Sequence, residues 1–130
     1  MRLDRKILID TSVMVDLLRG VEMAMNWIDG VEPKNRCLSF ITVAELTAGC
    51  RNKEEQKKLE LELREYVLLY LDVQSCRKGI EWYKTFHLSH RAGFLDCLIA
   101  ASAYRKSIPI ATLNDKHFKQ ITEISIIRPY

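Results

Sequence analysis

The chain has 130 residues, the usual length of one domain, so we expect a single domain over residues 1–130. Its 48% hydrophobic and 28% charged residues are typical of a globular protein, and no apolar stretch approaches the roughly 20 residues that cross a bilayer. The net charge of +3 permits a polyanionic partner but is weak for a dedicated nucleic-acid-binding module. The N-terminus has no secretory signal pattern, which predicts a cytoplasmic protein with no membrane association.

Apolar runs of strand length alternate along the chain with segments of helical period. The runs occupy residues 7–9, 37–41, 69–73, 108–111 and 124–127. Helices are expected at 12–19, 22–29, 53–70, 76–87 and 94–106, the first two ending at Gly20 and Gly30. This alternation predicts an α/β fold with βαβ units around a mainly parallel sheet.

Acidic and amide side chains recur beside the ends of these elements. Asp10 directly follows the first strand, Glu45 comes shortly after the second, and Asn114 and Asp115 follow the fourth. Asp96 lies in the first turn of the last long helix. Because right-handed crossovers keep successive strands parallel, the carboxyl ends of the strands meet at one edge of the sheet. We therefore expect these side chains to lie near one another.

Each of these residues also has an ordinary structural explanation. Asp10 is a suitable helix cap, and Thr42-x-x-Glu45 has the spacing of a capping box. Asp96 complements the helix dipole, and Asn-Asp is a common turn sequence. These explanations account for each residue alone but do not predict that the acids share an edge.

A shared edge would bring negative charges together. Two carboxylates about 4 Å apart repel by roughly 4 kcal/mol at an effective dielectric constant of 20. A divalent cation offsets this repulsion, and oxygen ligands without His or Cys suit Mg²⁺ or, alternatively, Mn²⁺. One or two such ions support hydrolysis of phosphodiester bonds by activating a water and stabilising the transition state.

At these residues the chain resembles the PIN domain nucleases, and specifically the VapC type of toxin–antitoxin ribonuclease. Four segments carry the resemblance, in this order: Ile-Asp-Thr-Ser at 9–12, Ser-Phe-Ile-Thr-Val-Ala-Glu-Leu at 39–46, Leu-Asp-Cys-Leu-Ile-Ala-Ala at 95–101 and Ala-Thr-Leu-Asn-Asp-Lys-His-Phe at 111–118. The resemblance implies a three-layer α/β/α fold with a central, mainly parallel five-stranded sheet.

The resemblance also implies roles for particular residues. Asp10, Glu45 and Asp96 would be the metal-binding acids, and Ser12 and Thr112 would supply hydroxyls near the ion.

The fourth catalytic position has more than one candidate. Family members often carry Asn or Asp two residues after the Thr, and Asp or His before the Phe, which gives Asn114 and His117 here. Asp115 lies between these two. Asn114 is favoured over Asp115 as the group that faces the site.

By the same resemblance, the chain would be a Mg²⁺-dependent endoribonuclease and the toxin of a type II toxin–antitoxin system. It would act on RNA as a homodimer, and a cognate antitoxin would occupy a groove flanked by helices at 43–51 and 53–70. Two other functions compete with this hypothesis. One is a non-catalytic module that binds RNA or protein, and the other is a phosphoaspartyl phosphotransferase that uses Asp10 as its nucleophile.

Overall fold

A five-stranded parallel sheet forms the centre of the computed structural model, which describes residues 4–130. The strands are β1 (Ile7–Ile9), β2 (Arg36–Ser39), β3 (Val67–Leu69), β4 (Ile110–Ala111) and β5 (Ile126–Ile127). Their order across the sheet is β3-β2-β1-β4-β5, and each neighbouring pair is parallel. The predicted parallel five-stranded α/β fold is confirmed.

Six α-helices connect the strands of this sheet. They are α1 (Thr11–Leu18), α2 (Glu22–Asp29), α3 (Phe40–Ala48), α4 (Lys53–Leu63), α5 (Val73–His90) and α6 (Phe94–Lys106). Two short 3₁₀ turns, Pro33–Asn35 and Asp115–His117, precede β2 and follow β4. Among the described residues, no helix is both long and apolar enough to cross a bilayer.

The helices cover both faces of the sheet because side chains alternate between the faces along each strand. Leu8 and Ile110 point into a core formed with α5 and α6. Ile7, Ile9 and Ala111 point into a second core formed with α1, α2 and α4. All five side chains are fully buried, which makes the central strands hydrophobic on both faces.

The predicted long helix over 53–70 is wrong in its second half. Helix α4 ends at Leu63, and Val67–Leu69 forms strand β3, which pairs with all but the first residue of β2. The predicted strand at 69–73 is therefore placed too late, and Val73 begins α5. Apolar residues continue at helical spacing past Leu63, which is why the sequence predicted a longer helix. Pairing with the edge of β2 outweighs that local pattern and makes the segment a strand.

The second strand is also shorter than the predicted 37–41. Strand β2 ends at Ser39, whose hydroxyl oxygen accepts a hydrogen bond from the Ile41 backbone N–H at 3.1 Å. Ser39 thereby caps α3, so Ile41 belongs to the helix. At the other end of the sheet, β4 and β5 begin two residues later than predicted, at Ile110 and Ile126.

Helices α5 and α6 approach each other closely at Gly79. A Cβ atom added at Gly79 would lie 2.6 Å from Leu98 Cδ2. We predict that Gly79→Val lowers the free energy of unfolding by about 2 kcal/mol, because overpacking forces neighbouring side chains to move. The control is Cys76→Val, an exposed position on the same helix, where a change within about 0.5 kcal/mol is expected. Urea denaturation measures both, and equal losses would contradict the close packing of these helices.

Candidate active site

Asp10 is the buried carboxylate at the carboxyl end of the central strand β1. Its side chain is held by two hydroxyl groups: Thr112 Oγ1 donates to Asp10 Oδ2 at 2.8 Å, and Ser12 Oγ donates to the same oxygen at 2.9 Å. The residue is only 4% exposed. Asp10 occupies the N-cap position of α1 but makes no side-chain capping hydrogen bond, so its interpretation as a helix cap is wrong.

Ser12 and Thr112 therefore hold a carboxylate, and they connect the end of β1 to the end of β4. The Ser12 hydroxyl oxygen accepts the Leu113 backbone N–H at 3.1 Å, and Thr112 Oγ1 accepts the Asn114 backbone N–H at 2.9 Å. Each hydroxyl donates its one hydrogen to Asp10 and accepts a hydrogen bond from a backbone N–H. Because the backbone groups fix the two hydroxyls, the hydroxyls in turn fix the orientation of the Asp10 carboxylate.

Glu45 lies on α3, the helix that follows β2, and the capping box that was its alternative explanation does not form. The helix starts at Phe40 and is capped by Ser39, so Glu45 is in the second turn. Its Oε1 instead accepts a hydrogen bond from Thr11 Oγ1 at 2.9 Å.

Thr11 and Thr42 are site residues that the sequence analysis missed. Thr11 Oγ1 also lies 3.0 Å from Thr42 Oγ1, and Thr42 is completely buried. The two hydroxyls thus link α1 to α3 beside Glu45. The three-residue spacing of Thr42 and Glu45 was the sequence feature that could have pointed to Thr42. In the structure this spacing places both residues on one face of α3 rather than at its N-cap.

Asp96 occupies the first turn of α6, as predicted, and lies beside His117. Its Oδ2 is 3.3 Å from His117 Nδ1. Burial raises the pKa of the Asp96 carboxyl, the negative charges of Asp10 and Glu45 raise it further, and His117 opposes these effects. Asp10 and Glu45 are therefore close enough for their charges to affect the pKa of Asp96.

The structure separates the candidates for the fourth catalytic position. Asp115 is exposed, and its Oδ1 lies 3.4 Å from Arg128 Nη1. The Asn114 backbone is tied to Thr112, and the Asn114 side chain makes no hydrogen bond with the described residues. The imidazole of His117 is the group of this segment that lies against one of the three acids.

The donor chemistry of the three acids fits a divalent cation. Within residues 4–130, Asp10 Oδ1, Glu45 Oε2 and Asp96 Oδ1 accept no hydrogen bond, while the second oxygen of each carboxylate has a partner. Among the described residues, no group of three or more His, Cys, Asp or Glu side chains is arranged so that it could hold a metal ion. Mg²⁺ does not require one, because it binds through one or two carboxylates and retains waters.

A groove of about 820 Å³ adjoins Thr11 and Glu45 and runs between α1, α3 and α4. Its walls include Leu18, Met25 and Cys50, and Leu18 and Met25 are 44% and 48% exposed. Acidic and basic residues also line the groove: Arg19, Glu45, Arg51, Glu55, Lys58 and Glu62. The groove is thus open beside the acidic site and offers both apolar and charged contacts.

Comparison with known proteins identifies the class of this fold and site. The PIN domain family model matches residues 7–124, which is most of the chain. The chain therefore belongs to the PIN domain family.

The curated relatives narrow the class to the VapC group. The chain is similar to Ribonuclease VapC10 of Mycobacterium tuberculosis, with 32% identity over 120 residues that cover 91% of this chain and 90% of that protein. It is also similar to Ribonuclease VapC1 of Methanocaldococcus jannaschii, with 26% identity over 95% of this chain and 86% of that protein.

A solved structure similar to this chain is VapBC-1 from nontypeable Haemophilus influenzae, with a TM-score of 0.80, 26% identity and coverage of 95% of this chain and 97% of that chain. Another is FitAcB from Neisseria gonorrhoeae, with a TM-score of 0.76, 27% identity and the same coverage. A toxin–antitoxin complex from Klebsiella pneumoniae shares the fold, with a TM-score of 0.81, 21% identity and coverage of 96% and 98%.

The raised pKa of Asp96 predicts how charge at the site affects stability in the absence of metal. The folded state binds the Asp96 proton more tightly than the unfolded state, so the stability gained by protonation is present below the ordinary pKa of 3.8 and is lost as pH rises through the folded-state pKa. We predict that Asp96→Asn raises the melting temperature at neutral pH in the presence of a chelator, and that this advantage disappears toward pH 3.8.

Asp115→Asn provides the matched control for that measurement, because Asp115 is an exposed partner of Arg128 rather than a neighbour of the other acids. Its effect on stability is expected to stay within about 0.5 kcal/mol. Differential scanning calorimetry from pH 4 to pH 8 compares the two variants. A lower melting temperature for Asp96→Asn at neutral pH would contradict electrostatic repulsion among the acids.

Proposed function

We propose that this protein is a metal-dependent endoribonuclease, with Mg²⁺ or Mn²⁺ as its cation, and the toxin of a type II toxin–antitoxin pair that acts in the cytoplasm. Three contacts carry the proposal: Thr112 donates to Asp10, Thr11 donates to Glu45, and Asp96 lies beside His117. Burial and the charges of Asp10 and Glu45 raise the pKa of Asp96, which agrees with acids that lie near one another. Membership in the PIN domain family and similarity to proteins named Ribonuclease VapC support it. They favour a nuclease over the phosphoaspartyl alternative.

Asp10 and Glu45 would hold the divalent cation through the oxygens that accept no hydrogen bond within the described residues, and Asp96 would hold it through either carboxylate oxygen. When bound, a cation of this kind supplies charge stabilisation at the phosphate and lowers the pKa of a water. Ser12 and Thr112 are positioning residues, since both act through Asp10. Removal of such an outer-shell partner typically weakens metal binding 10- to 100-fold.

The reaction class is hydrolysis of an RNA phosphodiester. A water oxygen forms a bond to phosphorus, and the bond from phosphorus to the 3′-oxygen breaks. The water loses one proton and the departing 3′-oxygen gains one, which leaves a 5′-phosphate and a 3′-hydroxyl. The exposed side of the acidic cluster allows a phosphate to approach, since Glu45 is solvent-exposed and Asp96 is only partly buried.

Asp10→Asn tests this function directly. The substitution keeps the size of the side chain but removes the charge that a cation needs, so RNA cleavage is expected to fall by a factor of about 100 or more. A gel assay of purified protein with RNA and Mg²⁺ or Mn²⁺ measures cleavage, and circular dichroism verifies the fold.

Two controls accompany that assay. Asp4→Asn neutralises an exposed acid before β1, and it should cleave at the wild-type rate. A chelator should abolish wild-type cleavage, and excess cation should restore it. Wild-type activity in the folded Asp10→Asn variant would refute the assignment of the site.

The partner that we propose for the groove between α1, α3 and α4 is a segment of the cognate antitoxin. The groove adjoins Glu45, and it exposes Leu18 and Met25 to solvent. Several structural neighbours are toxin–antitoxin complexes, which supports a partner of this class. RNA as the substrate and a homodimer as the assembly stay predictions. For the homodimer, the exposed rings of Phe40 and Tyr70, which stack with their centroids 6.3 Å apart, are available to contact a second copy of the chain.

A charge in the groove should weaken the antitoxin complex. We predict that Leu18→Glu lowers affinity for the cognate antitoxin about tenfold or more, because an unpaired carboxylate would be buried at the interface. Leu88→Glu is the control, since Leu88 is 85% exposed and lies on α5 outside the groove. Calorimetric titration measures both, and unchanged affinity for the folded Leu18→Glu variant would exclude this groove.

A further inference from the structure

His117 is held against the acidic cluster by a short and well-anchored segment. It closes the 3₁₀ turn Asp115–His117, and its backbone N–H donates to Asn114 O at 2.9 Å. Gln120 Nε2 donates to the His117 carbonyl at 2.8 Å, and the next residue, Phe118, is completely buried. The backbone that carries the imidazole is therefore fixed by the fold, and Asp96 is the partner of its side chain.

His117 is the side chain of this segment that lies beside one of the acids. Asp115 is two residues earlier, but its carboxylate pairs with Arg128, whose Nη1 also donates to Leu113 O at 2.8 Å. The charges that affect Asp96 are those of Asp10, Glu45 and His117. Beside three oxygen donors, this segment thus contributes a nitrogen donor.

The separation of the two side chains suits joint coordination of one ion. His117 Nδ1 and Asp96 Oδ2 are 3.3 Å apart. Two ligand atoms at right angles, each about 2.1 Å from an octahedral cation, are about 3.0 Å apart. The pair therefore requires a movement of only a few tenths of an ångström to act as neighbouring ligands.

We propose that His117 is a nitrogen ligand of the divalent cation and that it gives this site a preference for Mn²⁺ over Mg²⁺. The inference rests on the proposed function, because it concerns the same cation. Mg²⁺ strongly favours oxygen ligands, whereas first-row transition metals accept an imidazole nitrogen. The alternative role for His117 is an outer one, in which Nδ1–H donates to Asp96 and only orients that carboxylate.

Mn²⁺ is the probe that separates these two roles, because it is paramagnetic. The experiment is pulsed electron paramagnetic resonance on tag-free protein loaded with Mn²⁺. Direct coordination by His117 predicts a ¹⁴N coupling that is lost in His117→Gln and retained in His90→Gln, a substitution of another exposed histidine. His117 is about half exposed, so the variant is expected to fold, and circular dichroism verifies this.

Calorimetric titration with Mg²⁺ and Mn²⁺ gives a second readout. His117→Asp replaces nitrogen with oxygen, so the ratio of the two dissociation constants should shift toward Mg²⁺ by about tenfold or more. Mn²⁺ binding that depends on Asp96 but shows no ¹⁴N coupling would overturn the ligand role of His117 and leave the proposed function intact. Absence of any Mn²⁺ or Mg²⁺ binding, together with RNA cleavage in a chelator, would overturn both proposals.

Discussion

The arrangement of the site depends on Asp10, a buried carboxylate that is held by hydroxyl groups of the protein itself. Asp10 is at the end of the central strand, and it remains in place because the hydroxyls of Ser12 and Thr112 donate to the same oxygen. A buried carboxylate without such donors would be costly, and further negative charges nearby increase that cost. At Asp96, burial together with the charges of Asp10 and Glu45 raises the pKa of the carboxyl. The same hydroxyls leave the second oxygen of Asp10 available to a ligand.

The order of the strands explains why these residues meet. The chain leaves β1 toward β2 on one side, and it returns to β4 on the other side after crossing with α5 and α6. Ligands in open α/β sheets bind at such a switch point, beyond the carboxyl ends of the strands. Asp10 ends β1, Glu45 is on the helix after β2, Asp96 is on the helix before β4, and Thr112 follows β4. One topological feature therefore places four separate segments at one site.

The strands of the sheet, and the positions of the acids after them, could be predicted from the sequence for a specific physical reason. Strands buried on both faces have nearly continuous apolar runs, as in Ile7–Ile9, and the positions directly after them are easy to locate. Strand β3 was harder, because Val67–Leu69 continues the apolar stripe of α4 and becomes a strand only through its pairing with β2. The spacing of apolar residues within a short segment does not reveal that the segment pairs with a strand about thirty positions away.

The same limit explains what was missed at the site. Thr11 and Thr42 contact each other across 31 positions, so neither local sequence predicts the pair. Asn114, Asp115 and His117 were all candidates for the fourth position, with Asn114 favoured over Asp115. In the structure Asp115 pairs with Arg128, near the end of the chain, and His117 lies beside Asp96. Long-range partners of this kind decide which of several nearby polar residues faces a site. The topology of the sheet brings the acids to one edge, and individual tertiary contacts determine which neighbouring side chain lies beside them.

The central claim is that one cation occupies the edge of the sheet among Asp10, Glu45 and Asp96. The most direct test is an anomalous difference map from crystals grown with Mn²⁺ and measured near the manganese absorption edge. The account predicts a strong peak within coordination distance of oxygens from at least two of these three carboxylates. A map with well-ordered side chains and no peak at this edge would contradict it.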